Sequence, residues 1–495
     1  MEAILVLDLL KVQELQDFFK DVKGNERTAQ GIELFPQEKQ ILSALESNPN
    51  LDLNAYLQSS PVKALAQEIN QTAPAQNLQL AAYSDLQTRL SSLGQNSALF
   101  YPLVLDDRLE LVLFTRNAPP IHKTVPISKT ELEATVANFR REITNTNSNA
   151  IQKPAQQLYQ WLIQPLVAEL EQNNIQTLIY APDGQMRYVP LAALYDGKQW
   201  LVEKYQINYI TALSLTELDS ESFQNPNILA GAFTESAGKI EINDQYFEFD
   251  SIPAAKTEVE SLVKTFPGTK VLLDKDFNRT GMNPDQMNQH NIVHLATHGK
   301  LVNGSPEDSF ILLNNQEYIT LREIKNWKLP NVGLVVLSAC QTALGEQLGS
   351  GIEIIGFGYQ LQQAQARASI ATLWNINDSV TSDLMNEFYT QIKQGSPNPV
   401  DALQKAQIAL IRGGMEAETA LNELSLGAQE VTVSPEVLRL LQEAQVTDNL
   451  EIIEDNNRGI ITITPREREE IQSGILIRLS HPYYWAPFIL IGNGL

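Results

Sequence analysis

From residue 227 onward, short apolar runs rich in β-branched residues alternate with stretches of helical period. That alternation restricts the fold more than any other feature. Residues 228–232, 270–273, 292–296, 333–338, 369–374 and 487–491 read as strands, and 254–266, 351–365 and 379–393 read as helices. Strands joined through helices pair largely in parallel, and such a sheet is covered by helices on both faces. The expected class is therefore α/β. Catalytic groups in sheets of this kind gather beyond the carboxyl ends of the strands.

Upstream, 98–105 and 109–115 are apolar runs split by Asp106-Asp107, which predicts a hairpin. Helical stretches at 129–143 and 155–172 follow, then a strand at 177–181 ending in Pro182-Asp183-Gly184. Residues 1–95 show helical spacing in Leu9, Leu10, Val12, Leu15, Phe18 and Phe19, and again over 62–69, with a polar break at 48–54. No repeat of fixed period is present there. Residues 413–478 interrupt the α/β pattern with a helical piece at 434–444 and the charged run Pro465-Arg-Glu-Arg-Glu-Glu470, and read as an insertion. The expected organisation is a helical segment at 1–95, a first α/β unit at 96–220, and a second at 221–495 that carries the insertion.

Charge and cysteine content narrow the function. With 36 Lys and Arg against 59 Asp and Glu, the formal net charge is -23. Such a chain repels phosphate backbones, so neither nucleic acid nor an anionic membrane is expected as a partner. A single cysteine excludes intrachain disulfides and Cys-cluster metal sites, and fits a reducing compartment. The first ten residues carry acids where a signal peptide carries Lys or Arg, and no apolar run reaches the roughly 18 residues of a membrane span. A soluble, cytoplasmic protein without cofactor or metal is expected. The spacing of Gly349, Gly351 and Gly356 is not a dinucleotide fingerprint, and no Gly-x-Ser-x-Gly elbow occurs.

The lone thiol, Cys340, stands in Leu334-Val-Val-Leu-Ser-Ala-Cys-Gln-Thr-Ala-Leu-Gly345, just past a strand. A sulfur at a strand mouth faces a cleft, and a neighbouring imidazole lowers its pKa and shuttles its proton. The bland reading is a buried structural thiol. His298 follows a second apolar strand in Ile292-Val-His-Leu-Ala-Thr-His-Gly-Lys300. Gly299 lets the backbone approach a ligand, so its N–H and that of Cys340 are the expected oxyanion donors. His294, four residues earlier and inside the strand, reads as a hydrogen-bonded core residue.

The phrases His294-Leu-Ala-Thr-His-Gly299, Leu337-Ser-Ala-Cys-Gln-Thr-Ala343, Ala371-Thr-Leu-Trp374 and Ser480-His-Pro-Tyr-Tyr-Trp-Ala-Pro-Phe488 closely resemble the CHAT family. These are caspase-like cysteine peptidases of the same clan as caspases and separase, often attached to tetratricopeptide repeats in bacteria. The resemblance spans about residues 98–412 and 479–495. It implies a catalytic dyad of His298 and Cys340. It also implies that 96–220 is a degenerate caspase-like subdomain packed against the active one, with Ala181-Pro-Asp-Gly-Gln-Met-Arg-Tyr-Val-Pro190 as its characteristic phrase. Residues 1–95 would then be a repeat remnant.

Trp374-Asn-Ile-Asn-Asp378 resembles a separase phrase whose acid pairs with an arginine before the scissile bond, which makes Asp378 a candidate substrate-binding residue. Its other reading is an N-cap for the helix expected from Ser379. The implied function is a cysteine endopeptidase acting on a protein substrate, cutting after Arg or Lys, and latent until an activating protein partner docks. The alternatives are a catalytically silent scaffold and a redox-sensing thiol at Cys340.

Overall fold

The computed structural model describes residues 93–94, 96–116, 119–146, 148–216, 218, 225–242, 245–301, 309–314, 317–338, 341–342, 351–374, 378–412, 430–433, 451–455, 458–462 and 480–495, together with Asp8, Lys11 and Glu14. Cys340, the polar break at 48–54 and the helical piece at 434–444 lie outside the described residues.

The first unit opens with β1 (Ser97–Val104), β2 (Leu109–Thr115) and β3 (Ile121–Val125), an antiparallel meander. Helix α1 (Lys129–Ile143) is capped by Ser128, whose side chain accepts from the Glu131 N–H, and it buries Leu132, Val136, Phe139 and Ile143. The stretch expected as one helix at 155–172 is two, α2 (Gln152–Leu162) and α3 (Val167–Gln172), joined by a 3-10 turn at Gln164–Leu166. Pro165 lacks the N–H that an uninterrupted helix needs at that position. Strands β4 (Thr177–Tyr180) and β5 (Gln206–Tyr209) complete this unit.

The second unit contributes β6 (Ile228–Ala232), the hairpin β7 (Gly238–Ile242) and β8 (Gln245–Phe249), α4 (Ala254–Thr265), β9 (Lys270–Leu273), α5 (Pro284–Met287) and β10 (Ile292–Ala296). Next come β11 (Gly299–Leu301), β12 (Phe310–Leu312), β13 (Tyr318–Thr320), α6 (Leu321–Ile324), β14 (Leu334–Leu337) and β15 (Gln341–Thr342). Then follow α7 (Ile352–Gln363), β16 (Ala368–Thr372), α8 (Asp378–Lys393) and α9 (Pro399–Ile411). Strands β17 (Glu430–Val433), β18 (Glu451–Asp455) and β19 (Arg458–Thr462) form a separate antiparallel sheet in the insertion, and α10 (Pro482–Trp485) leads into β20 (Phe488–Gly492).

Both units share one sheet. Its order is β3-β2-β1-β4-β5-β20-β16-β14-β10-β6-β9, and every pairing from β1 to β9 is parallel except β20 against β16. The seam is β20, which lies between β5 of the first unit and β16 of the second. Asn208, fully buried in β5, donates to the Gly492 carbonyl and accepts from the Gly494 N–H, so a buried polar side chain is satisfied across that seam.

Alternation along the strands sends side chains to two faces. Ile292 and Ala296 of β10 join the apolar cluster that holds residues of α4, α8 and α9, while Val293 and Leu295 join the cluster holding residues of α6 and α7. Gly231, paired with Leu295, lies under the Phe277 ring, and a Cβ there would fall 2.2 Å from Phe277 Cε2. Gly231→Ala is therefore expected to lower stability by about 1–3 kcal/mol through overpacking, read as a lower urea midpoint.

Asp8, Lys11 and Glu14 are helical and stand three residues apart, which puts them on one helix face. Each enters a polar socket in the first unit. Asp8 accepts from the Leu213 and Ser214 N–H groups and the Tyr101 hydroxyl. Lys11 Nζ donates to the Pro182 carbonyl at 2.6 Å, with Asp183 at 3.7 Å. Glu14 takes two hydrogen bonds, 2.9 and 2.6 Å, from Arg187, whose side chain is 0% exposed.

Candidate active site

His298 lies in the turn between β10 and β11, at the carboxyl end of a central strand. That turn is pinned by one residue of β12: the Leu312 N–H donates to the His298 carbonyl at 2.8 Å, and the Thr297 hydroxyl donates to the Leu312 carbonyl at 2.6 Å. Gly299 is buried, opens β11 and pairs with Ile311.

His298 is 6% exposed, and its ring sits against the end of the β7–β8 hairpin. Its Nε2 is 2.8 Å from the Asp250 backbone carbonyl. A carbonyl only accepts, so Nε2 carries the proton and Nδ1 of the neutral ring is left with the lone pair of a base. The Phe249 ring lies 4.9 Å from the imidazole at a tilt of 32°. Burial lowers the His298 pKa below its ordinary value, opposed by the hydrogen bond to Asp250 and by the Asp250 carboxylate. Such a ring is neutral, and able to take a proton, over a wider range than an exposed histidine.

Paired strands lie on both sides of the turn that holds His298 and of the segment that holds Cys340. Before them, Leu295 pairs with Leu337, and the Ser338 N–H donates to the Leu295 carbonyl at 3.1 Å. After them, β11 and β15 run parallel, with Lys300 opposite Gln341 and Leu301 opposite Thr342. His298 stands two residues before Lys300, and Cys340 is the chain neighbour of Gln341.

Asp378 is the first residue of α8, which follows β16, the strand paired with β14. Residues 375–377, just before it, lie outside the described residues.

His294 takes no part in this arrangement. It is fully buried on the opposite side of β10 from Val293 and Leu295, with Nδ1 3.1 Å from the Tyr389 hydroxyl. Its Nε2 lies 2.7 Å from Glu258 Oε1, at ion-pair distance but without hydrogen-bond alignment. Burial, with the Glu258 charge nearby, pushes the Tyr389 hydroxyl well above its usual pKa, so it remains a neutral donor. Among the described residues no group of three His, Cys, Asp or Glu side chains is placed to hold a metal ion, and no helix is long and apolar enough to cross a membrane.

The CHAT domain family matches residues 152–493, more than half of the sequence. The chain belongs to the CHAT family. No curated protein sequence matches this CHAT chain. Among solved structures it is similar to separase in the Saccharomyces cerevisiae separase–securin complex, with a TM-score of 0.43 and 11% identity, covering 75% of this chain and 32% of that one. The CHAT chain thus spans about a third of the separase chain it matches. It is also similar to the Arg-specific cysteine proteinase gingipain R, with a TM-score of 0.33 and 11% identity, covering 65% of this chain and 83% of the other.

Proposed function

We propose that this CHAT protein is a cysteine endopeptidase in which His298 is the general base and Cys340 the nucleophile. The observation that carries this reading is the state of His298. A backbone carbonyl holds its Nε2 proton, which leaves Nδ1 as the basic atom, in a turn that strand pairing ties to the Cys340 segment on both sides.

The chemistry follows from those roles. His298 Nδ1 takes the thiol proton, and the thiolate attacks the peptide carbonyl to form a tetrahedral intermediate whose oxyanion is held by the Gly299 and Cys340 N–H groups. As the C–N bond breaks, the imidazolium returns its proton to the leaving amine and a thioester remains. Water, deprotonated by His298, then releases the carboxylate and restores the thiol. A protein is the proposed substrate, with Asp378 receiving a basic side chain before the scissile bond through a charge-assisted pair. An activating protein partner is proposed for a latent resting state.

The test is a fluorogenic peptide panel with Arg, Lys, Met, Leu or Asp before the bond, run on the wild type and on Cys340→Ala. Cleavage after Arg that vanishes in Cys340→Ala is the expected result. Asp378→Asn should then reduce kcat/KM for the Arg peptide by about 10–100-fold, while changing the Leu peptide little. Cleavage after an uncharged residue would keep the peptidase and remove Asp378 as its specificity acid. Turnover that survives in Cys340→Ala would refute the nucleophile assignment.

A further inference from the structure

The β7–β8 hairpin pairs only with itself among the described strands, and its two faces differ. Tyr246, Glu248 and Asp250 are exposed, whereas Phe247 and Phe249 are buried. The buried rings belong to a chain of aromatic contacts. Tyr318 of β13 meets Phe310 of β12 at 5.8 Å, and Phe310 meets Phe247 at 5.3 Å and Phe249 at 6.0 Å. Phe249 then meets His298 at 4.9 Å. Phe247 ends instead on Lys300, whose Nζ lies 4.4 Å from the ring centroid.

The root of the hairpin is fixed as well. The Thr234 N–H and hydroxyl both donate to Asp274, the Ile252 N–H donates to the Thr234 carbonyl, and the Ser236 hydroxyl donates to the Phe249 carbonyl at 3.0 Å. Phe249 and Asp250 are consecutive. One covers the face of the His298 ring, and the other takes its Nε2 proton.

We propose that Phe249 is a positioning residue for His298: its ring and the adjacent Asp250 carbonyl clamp the imidazole in one orientation and one tautomer. This rests on the reading of His298 as general base and adds the element that holds it ready. Phe247 does a different job, because it seats the hairpin on Phe310 and Lys300 without touching His298. The clamp also keeps water from the ring, in line with the lowered pKa. Ionisable groups on the described elements packed there are Glu241, Tyr246 and Glu248 on the hairpin, Asp250 just after it, Lys300 on β11 and Tyr318 on β13.

The test uses the full chain labelled with ¹³C at the imidazole carbons, with the His298 signal assigned through His298→Gln. Phe249→Leu should raise the His298 titration midpoint toward the ordinary 6.5. Phe249→Tyr, which keeps a ring, should restore the wild-type midpoint, and Phe247→Leu should leave it in place. In peptide cleavage, Phe249→Leu should lower kcat about tenfold with little change in KM and move the acid limb of the pH profile upward.

If Phe249→Leu and Phe247→Leu shift the His298 midpoint equally, or neither shifts it, Phe249 is only a packing residue and the proposal fails. The titration needs no substrate, so the two readings separate. A midpoint that moves as described in a chain that cleaves no peptide would sink the peptidase and keep the clamp. Peptide cleavage with an unmoved midpoint would do the reverse.

Discussion

His298→Ala is expected to lower kcat/KM at neutral pH by about 10³-fold or more, while the protein unfolds at nearly the wild-type denaturant concentration. Two losses combine. Without the imidazole, Cys340 returns toward the ordinary thiol pKa of about 8.5, so only a few per cent is thiolate near pH 7. The leaving amine also loses the acid that protonates it. Because Cys340 is the lone thiol of the chain, iodoacetamide labelling reads the first loss without any substrate.

In the wild type, labelling should rise with pH through a limb below the ordinary histidine range, since burial lowers the His298 pKa. In His298→Ala that limb should vanish and labelling should rise only near pH 8.5, the thiol's own value, give or take about a unit. A labelling profile that is the same in both proteins would show that His298 does not act on Cys340.

The second large effect concerns stability. Glu14→Ala is expected to cost about 2–4 kcal/mol, because it removes a bidentate carboxylate from a guanidinium of 0% exposure. Glu14 itself is 31% exposed, which keeps the figure below that of a wholly buried pair. Arg187→Met should cost less than Glu14→Ala, because an apolar side chain of similar length fills the socket without a charge to neutralise. The double variant should then be more stable than Glu14→Ala alone. Urea midpoints of the three variants decide this. A double variant less stable than either single one would mean that the pair contributes packing rather than charge neutralisation.

How much of this was legible in the sequence differs from one element to the next. Strands at 228–232 and 292–296 are found where their apolar runs place them, because a strand buried on both faces has nothing else to encode, and the half-buried edge strand at 270–273 is marked by Val271, Leu272 and Leu273. His298 could be read from a His-Gly pair that follows an apolar strand by a residue. Its clamp could not, since any residue at 250 supplies a carbonyl and a carbonyl leaves no mark in side-chain chemistry. A partial signal for the hairpin was present in Gln245-Tyr-Phe-Glu-Phe-Asp250, which alternates with the period of a strand. β5 was hidden by its polar Gln206 and Asn208, whose partners lie far away in the chain. Asp8, Lys11 and Glu14 look like an ordinary solvated face, and only the sockets opposite them show otherwise. One sheet runs unbroken from β3 to β9 through both expected units, and no local pattern announces that β20 joins them.

That seam strand has a consequence for how the protein comes into being. β20 bonds to β5 from about 280 residues earlier in the chain and to β16 from more than a hundred residues earlier, so its contacts are among the least local in the fold. It also leaves the ribosome after every other strand of the sheet. Until it arrives, β5 and β16 each present an unpaired edge, which is the kind of surface that recruits strands from other molecules. During synthesis the two halves can form separately, but they are aligned only when residues 488–492 slot between them, a slow step for so distant a pairing. A nascent or prematurely released chain would thus hold His298 and the Cys340 segment in a half-sheet with an open flank. Delaying alignment to this strand would leave the His298 turn and the Cys340 segment in an open half-sheet until residues 488–492 have been made.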